Sequence, residues 1–303
     1  MESIRNSNHA AVVIGGVNMD ICGKISSRMI MRDSNLGIIS TRPGGVGRNI
    51  AHNLRLLGLD VSLIAAIGGD MYAKAIKESC NTLGIDLSMA RILPEERSST
   101  YLYVTDEFGD MQLGINDMDI TARVDVPYLE ANMDRINRFD AVVLDANLSP
   151  ESIEFLAERC TRPLYADAVS TVKAMRLMGV LNRLTAIKPN AIEAQALTGE
   201  SDMELAVRSL VDMGVKRAFI SMGANGIIAA ERDKLISLPC ESSAIVNTTG
   251  AGDSATAAIV WSGIKGLSLE DAAAAAIKAG AITCMSEDAN SPMLAELPKL
   301  MGI

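Results

Sequence analysis

Asn247-Thr-Thr-Gly-Ala-Gly-Asp253 runs straight into Ser254–Ile264, a stretch of small and apolar residues that reads as a helix. Gly250 and Gly252 let the backbone turn so that successive N–H groups point at one spot ahead of a helix N-terminus. The unsatisfied donors and the helix dipole both favour an anion at that spot. Asp253 falls in the first turn beside it. A carboxylate so placed can accept a proton from an attacking hydroxyl while the Gly250, Ala251 and Gly252 amides hold developing charge. On its own the segment serves equally as a turn in which Asp253 is an ordinary helix-start carboxylate. Gly250-x-Gly252-x-x-Ala255 also matches a dinucleotide fingerprint, with Glu270 and Asp271 downstream. That reading fails on context, because a second helix, Leu269–Met285, follows instead of a strand, and too little chain remains for a dinucleotide half-domain.

Outward from this segment the chain alternates buried runs with amphipathic helices. Ala11–Val17 reads as a first buried strand, a helix carries Val46, Ile50, Leu54 and Leu57 on one face, and Val61–Ile67 is the next strand. Asp70 caps a helix with Ala73, Ile76, Cys80 and Leu83 inward. From Asp125 the order is helix, strand (Ala141–Leu144), helix, strand (Leu164–Ala166), helix, strand (Leu184–Ile187), helix. That rhythm predicts a parallel, doubly wound sheet. Ala218–Met222, Ile227–Ala230 and Leu235–Leu238 are closely spaced and predict an antiparallel edge. Residues 21–42 and 97–116 break the rhythm; they alternate as half-exposed antiparallel strands and predict a small separate sheet within one α/β domain of 303 residues.

Composition narrows the function classes. Apolar residues make up 49% of the chain, enough for a full core, and aromatics only 3%, which suits helices on a parallel sheet. With a net charge of −9 and no basic stripe, a nucleic-acid partner is not expected. The five cysteines have no C-x-x-C spacing and read as reduced thiols in the cytoplasm. Residues 1–10 are polar, and the longest apolar stretch is broken by Glu270, Asp271 and Lys278, so neither a leader nor a membrane span is expected. Gly23-Lys24 lacks the rest of a phosphate loop, and His9 and His52 cannot furnish a Ser-His-Asp hydrolase.

Four further segments carry polar groups to strand ends. Lys188-Pro-Asn-Ala-Ile-Glu193 places Asn190 and Glu193 at a helix start in the crevice beyond the sheet, where they could hold magnesium through water. They could equally form a capping box. Ser221-Met-Gly223-Ala-Asn-Gly226 can wrap a nucleotide or simply turn a hairpin. Gly15-Gly-Val-Asn18-Met-Asp20 and Pro43-Gly44-Gly45-Val-Gly-Arg-Asn49 pair glycines with groups suited to vicinal hydroxyls, or form tight turns with satisfied caps.

In order and spacing, these segments resemble the ribokinase-like (PfkB) carbohydrate and nucleoside kinase family over essentially the whole chain, and Thr249-Gly-Ala-Gly-Asp253 is its most specific signature. The resemblance implies a central, mostly parallel sheet flanked by helices, with a small β-sheet lid formed by about 21–42 and 97–116. It implies ATP and Mg2+, with Asp253 as base. Asn190 and Glu193 would serve Mg-ATP, and Ser221, Gly223, Gly226 and Thr249 would lie near the nucleotide. Asn18, Asp20, Gly44, Gly45 and Asn49 would hold the sugar. Within the family, Asp33-Ser-Asn-Leu-Gly37, Ile115-Asn116-Asp117-Met-Asp-Ile120, Asp145-Ala-Asn147 and Asp167-Ala-Val-Ser170 with Lys173 are similar to the group that phosphorylates pseudouridine. That likeness adds Asn116, Asp117, Asn147, Asp167 and Lys173 to the substrate residues. A kinase for ribose, adenosine or a ketohexose is the alternative, and an inactive sugar-binding regulator a more distant one. Many relatives bind a monovalent cation through an Asp two residues before the loop Thr; here Asn247 stands there, and a neutral amide attracts K+ less than a carboxylate does. Leu102 and Val104 alternate on one side of the expected lid, whose open face predicts a homodimer.

Overall fold

Along Ala10–Ile14, alternate side chains face opposite sides, and both sides are covered, as an apolar run without polar alternation requires. Ala11 and Val13 belong to the core cluster that includes Ile50, Leu54, Phe219 and Trp261, whereas Val12 and Ile14 belong to the one that includes Leu129, Ile153, Leu156 and Leu210. The computed structural model, which describes residues 9–240 and 245–303, places this strand inside a nine-stranded sheet. Its order is Lys234–Leu238, Ile227–Glu231, Arg217–Ser221, Ala186–Lys188, Leu164–Asp167, Ala141–Asp145, Ala10–Ile14, Asp60–Ile64, Ile85–Asp86. Only the pairings among the first three strands are antiparallel, as the sequence predicts for that edge. The expectation about a leader rests mostly on residues 1–8, which lie outside the described residues. Among the described residues no helix is long and apolar enough to cross a membrane.

The first strand pairs with Asp60–Ile64 on one side and Ala141–Asp145 on the other. The chain therefore builds outward in both directions from it, and the connections that leave the carboxyl ends of Ala10–Ile14 and Ala141–Asp145 run to opposite sides, the position at which such sheets place a binding crevice. Helices Ala251–Ile264 and Leu269–Cys284 close one face through a nearly all-alanine contact that includes Ala255, Ala258, Ala272, Ala276 and Ala279. Small side chains let these helices approach closely and carry the start of the first one to the crevice.

Residues 21–42 and 97–116 form the expected small sheet, in the order Gly37–Gly44, Asn18–Ile25, Thr100–Thr105, Met111–Asp117. Its central pairing, Asn18–Ile25 with Thr100–Thr105, is parallel, where antiparallel strands are expected from the sequence. Each of the two strands leaves the main body in the same direction, so no hairpin joins them. The expected strand Val61–Ile67 is also broken: Asp60–Ile64 stays in the main sheet while Ala66–Gly68 pairs with Arg91–Leu93. Of the five cysteines, Cys22, Cys80, Cys160 and Cys284 form no disulfide, and Cys80 and Cys160 are buried.

Candidate active site

Gly250 is the N-cap of Ala251–Ile264 and sits at φ 81°, in the left-handed region. A Cβ there would come within 2.0 Å of the Ala289 carbonyl oxygen, so only glycine fits. Gly252 differs from expectation. It lies in ordinary helical backbone, and a Cβ on it would meet only the Lys188 ammonium, at 3.4 Å. The turn that aims the amides thus depends on Gly250. In a helix beginning at Ala251, the N–H groups of Gly252 and Asp253 have no carbonyl within the helix to bond.

Asp253 Oδ2 accepts a 2.8 Å hydrogen bond from Asn49 Nδ2. Asn49 belongs to helix Val46–Leu56, whose Gly45 (φ 101°) and Gly47 press against Gly15, Gly16 and Val17; a Cβ on Gly45 would fall 2.6 Å from the Gly16 oxygen. Burial, then the charge of Asp167, pushes the Asp253 carboxyl up to about 7, against the opposing pull of Asn49 and Lys188. Asp145 is fully buried and accepts from the Gly16 and Asn147 amides; burial pushes it up to about 6. Asp167 is committed on both oxygens, to Thr256 Oγ1 at 2.6 Å and to the Val169 amide at 2.9 Å.

Of the expected sugar residues Asn49 reaches Asp253 directly, and Gly45 lies against Asn18, whose Oδ1 a Cβ on Gly45 would approach to 2.9 Å. Asn18 Nδ2 donates to Asp20 Oδ1 at 2.5 Å, and Asp20 packs so tightly on Gly44 that a Cβ there would lie 2.1 Å from its carboxylate. Burial holds Asp20 above the usual carboxylate range. Asn147 is buried and accepts from Lys173 Nζ at 2.6 Å, while burial lowers the Lys173 amine. Asn116 is exposed, and opposite Tyr101 it shares the sheet face that carries Asp20 and Tyr103. Asp117 is drawn instead to Arg97, at 3.2 Å. A cavity of about 840 Å³ lies between this face and the 287–292 segment, bordered by Asp20, Arg42, Gly44, Arg48, His52 and Tyr103. An ion pair between Arg42 and Asp288 spans it.

On the nucleotide side the sequence leaves two readings of Asn190 and Glu193, and the geometry contains the capping box. Asn190 Oδ1 accepts from the Glu193 amide at 2.9 Å, and Glu193 Oε2 accepts from the Asn190 amide at 2.8 Å. Among the described residues no group of three or more His, Cys, Asp or Glu side chains is placed to hold a metal. If Mg2+ enters on phosphate oxygens, the side-chain atoms of Asn190 and Glu193 outside the capping box would be the ones to meet it through water. The Ser221 amide bonds the Pro189 carbonyl, and Gly223 and Gly226 turn at φ 57° and 89°. A Cβ on Gly226 would sit 2.0 Å from the Leu238 oxygen. Thr249 donates its amide to Asn247 Oδ1 at 2.9 Å, and Asn247 Nδ2 donates to the Glu287 carbonyl at 3.0 Å, so the amide that replaces the expected Asp ties the two loops together. Sequence reasoning gave Lys188, Arg48 and Thr256 no role. The available signal for Lys188 was a cation ending a strand with apolar residues before it.

A buried carboxylate at a helix start, glycines that admit the backbone and polar groups beyond the carboxyl edge of a parallel sheet are the chemistry that phosphoryl transfer needs. The chain belongs to the pfkB family of carbohydrate kinases, whose model matches residues 8–296. It is 32% identical to the pseudouridine kinase of Escherichia coli (strain K12), over 93% of each chain. It is also 32% identical to the uncharacterized sugar kinase YeiI of the same organism, over 93% of this chain and 80% of that one. Arabidopsis thaliana ribokinase complexed with ribose and ATP superposes with a TM-score of 0.84 at 20% identity, covering 98% of this chain and 99% of that one, which confirms the fold.

Proposed function

We propose that this kinase phosphorylates the 5′-hydroxyl of pseudouridine, giving pseudouridine 5′-phosphate and ADP. The observation that carries the substrate is the similarity to E. coli pseudouridine kinase along nearly the full length of both chains. Two features of the sheet face that borders the cavity favour a nucleoside over a bare sugar. Tyr101 and Tyr103 stack at 5.4 Å, and Tyr103 borders the cavity, offering a ring for a base. Asn116 stands on the same face and can exchange hydrogen bonds with a uracil edge.

In this reading Asn18, Asp20, Gly44, Gly45 and Asn49 hold the ribose, with Asn147 and Lys173 behind it. Asp253 accepts the 5′-hydroxyl proton. Gly250, Ala251 and Gly252 bind the transferred phosphoryl group, and Ser221, Gly223, Gly226 and Thr249 face the nucleotide. Mg2+ neutralises charge on the phosphate oxygens when bound. The small sheet acts as the lid of a single domain, and the enzyme works in the cytoplasm.

Pseudouridine presents an N1–H that uridine lacks. A site built around such a group rejects the analogue without it by up to about 10⁴–10⁵-fold. The expected result is a kcat/KM for pseudouridine more than about tenfold above that for uridine, cytidine, adenosine, ribose and fructose. Equal values for the two uracil nucleosides, or a preference for ribose, would move the chain to another branch of its family.

The outer face of the small sheet carries Ile39, Leu113 and Ile115, 77%, 53% and 57% exposed, beside Leu102 and Val104. Isolated sheets this apolar need a cover, and a second copy offers the same face. Sedimentation at micromolar concentration should show a dimer that Leu113→Lys dissociates. A monomeric wild type would refute the arrangement.

A further inference from the structure

Lys188 ends the strand Ala186–Lys188, and its side chain is only 6% exposed. Its one ion contact among the described residues is Asp167, at 3.7 Å, too long for a hydrogen bond. Asp167 has already given one oxygen to Thr256 and the other to the Val169 amide. A buried cation in this position carries a desolvation cost with poor compensation, unless another anion completes its shell. The direction of the side chain identifies where that anion would sit. A Cβ built on Gly252 would touch Nζ at 3.4 Å, so the ammonium lies against the turn whose free amides form the anion hole, with Asp253 and Glu193 within electrostatic reach.

We propose that Lys188 is a catalytic residue that binds an oxygen of the transferred γ-phosphoryl group, and that Asp167 and Thr256 are its positioning residues. The inference rests on the phosphoryl-transfer reading of the site and not on which acceptor is used. In the transfer, the bond from the acceptor oxygen to the γ-phosphorus forms as the bond from that phosphorus to the β–γ bridging oxygen breaks. The acceptor proton passes to Asp253, and the bridging oxygen leaves with the electron pair on ADP. Lys188 moves no proton; it offsets the negative charge on the group in flight, together with the Gly252 and Asp253 amides. The absence of side-chain bulk at Gly252 then has a cause in the ammonium behind it, which the backbone conformation alone does not supply.

The test compares nucleotides that differ only in the γ-phosphate. A charge-assisted hydrogen bond lost from that group should weaken a non-hydrolysable ATP analogue about 10–100-fold in Lys188→Met. ADP affinity should change less than about threefold, and kcat should fall about 10²–10³-fold. Equal losses for the two nucleotides, or a kcat within about threefold of wild type, would make Lys188 a purely structural cation. Should Lys188→Met fail to fold by circular dichroism, the wild-type ammonium signal in 15N-lysine spectra, assigned with Lys188→Arg, serves instead. It should shift with the ATP analogue and not with ADP, and a signal indifferent to both overturns the proposal. Neither readout needs the acceptor, so a failed substrate panel leaves this test intact.

Discussion

Asp253→Asn is expected to lower kcat by about 10²–10⁴-fold, or roughly 3–5 kcal/mol, while the KM for ATP stays level or falls. The amide keeps the shape of the side chain, and it still sits beside Asn49 Nδ2 at the helix start. What it loses is the ability to accept a proton. It also removes a negative charge next to the phosphates, hence no loss of nucleotide affinity. The wild-type pH profile gives an independent check. Only the ionised carboxylate is a base, and burial with Asp167 and Asp145 nearby raises its pKa to about 7. Activity should therefore be full above that value and fall toward tenfold per pH unit as the pH drops below it. Near wild-type turnover in Asp253→Asn would reduce the residue to a helix-start carboxylate.

Gly250→Val should be as damaging, by a different route. A non-glycine residue at φ 81° is strained by roughly 1–2 kcal/mol, and more for a β-branched one. The new Cβ would also overlap the Ala289 oxygen, 2.0 Å away, and this contact cannot relax without moving the turn. The amides would then miss the phosphoryl group, and losing such donors costs about 10²–10³-fold in kcat. Here ATP binding should fall as well, which separates this variant from Asp253→Asn. Gly252→Ala makes the internal comparison. With helical backbone and an added atom 3.4 Å from Lys188 Nζ, it should bind ADP nearly normally. An anion hole equally tolerant of both changes would contradict the assignment of the turn to Gly250.

The parallel sheet and the order of the elements were legible because buried strands such as Ala141–Asp145 have no polar alternation and are separated by amphipathic helices. Asp253 stood out as a candidate because two glycines precede it at a helix start. The parallel central pairing of the small sheet was not, since direction depends on where each strand leaves the main body, and local alternation is the same for either sense. Lys188 was hidden for a related reason. Its proximity to Gly252 spans 64 residues of chain and comes from the crossing of a strand end with a helix from another layer, which no local pattern encodes. Conversely, the sequence showed why Asn190 and Glu193 share a helix start but could not choose between a capping box and metal ligation, because both use the same spacing.

The hydrogen bond from Asn49 to Asp253 joins residues 204 apart in the chain. At about 5–20 residues per second, a ribosome takes roughly 10–40 s to travel from one to the other. During that interval the strands and helices of the first half can form, yet Asn49 and Asp253 are never both present. The nascent protein passes through synthesis without a competent centre, and ATP meets no half-built site that could hydrolyse it. The same separation makes this hydrogen-bonded pair a late event in refolding, since loop closure over so long a span must precede it. Recovery of turnover after dilution from denaturant should accordingly lag behind recovery of helical signal.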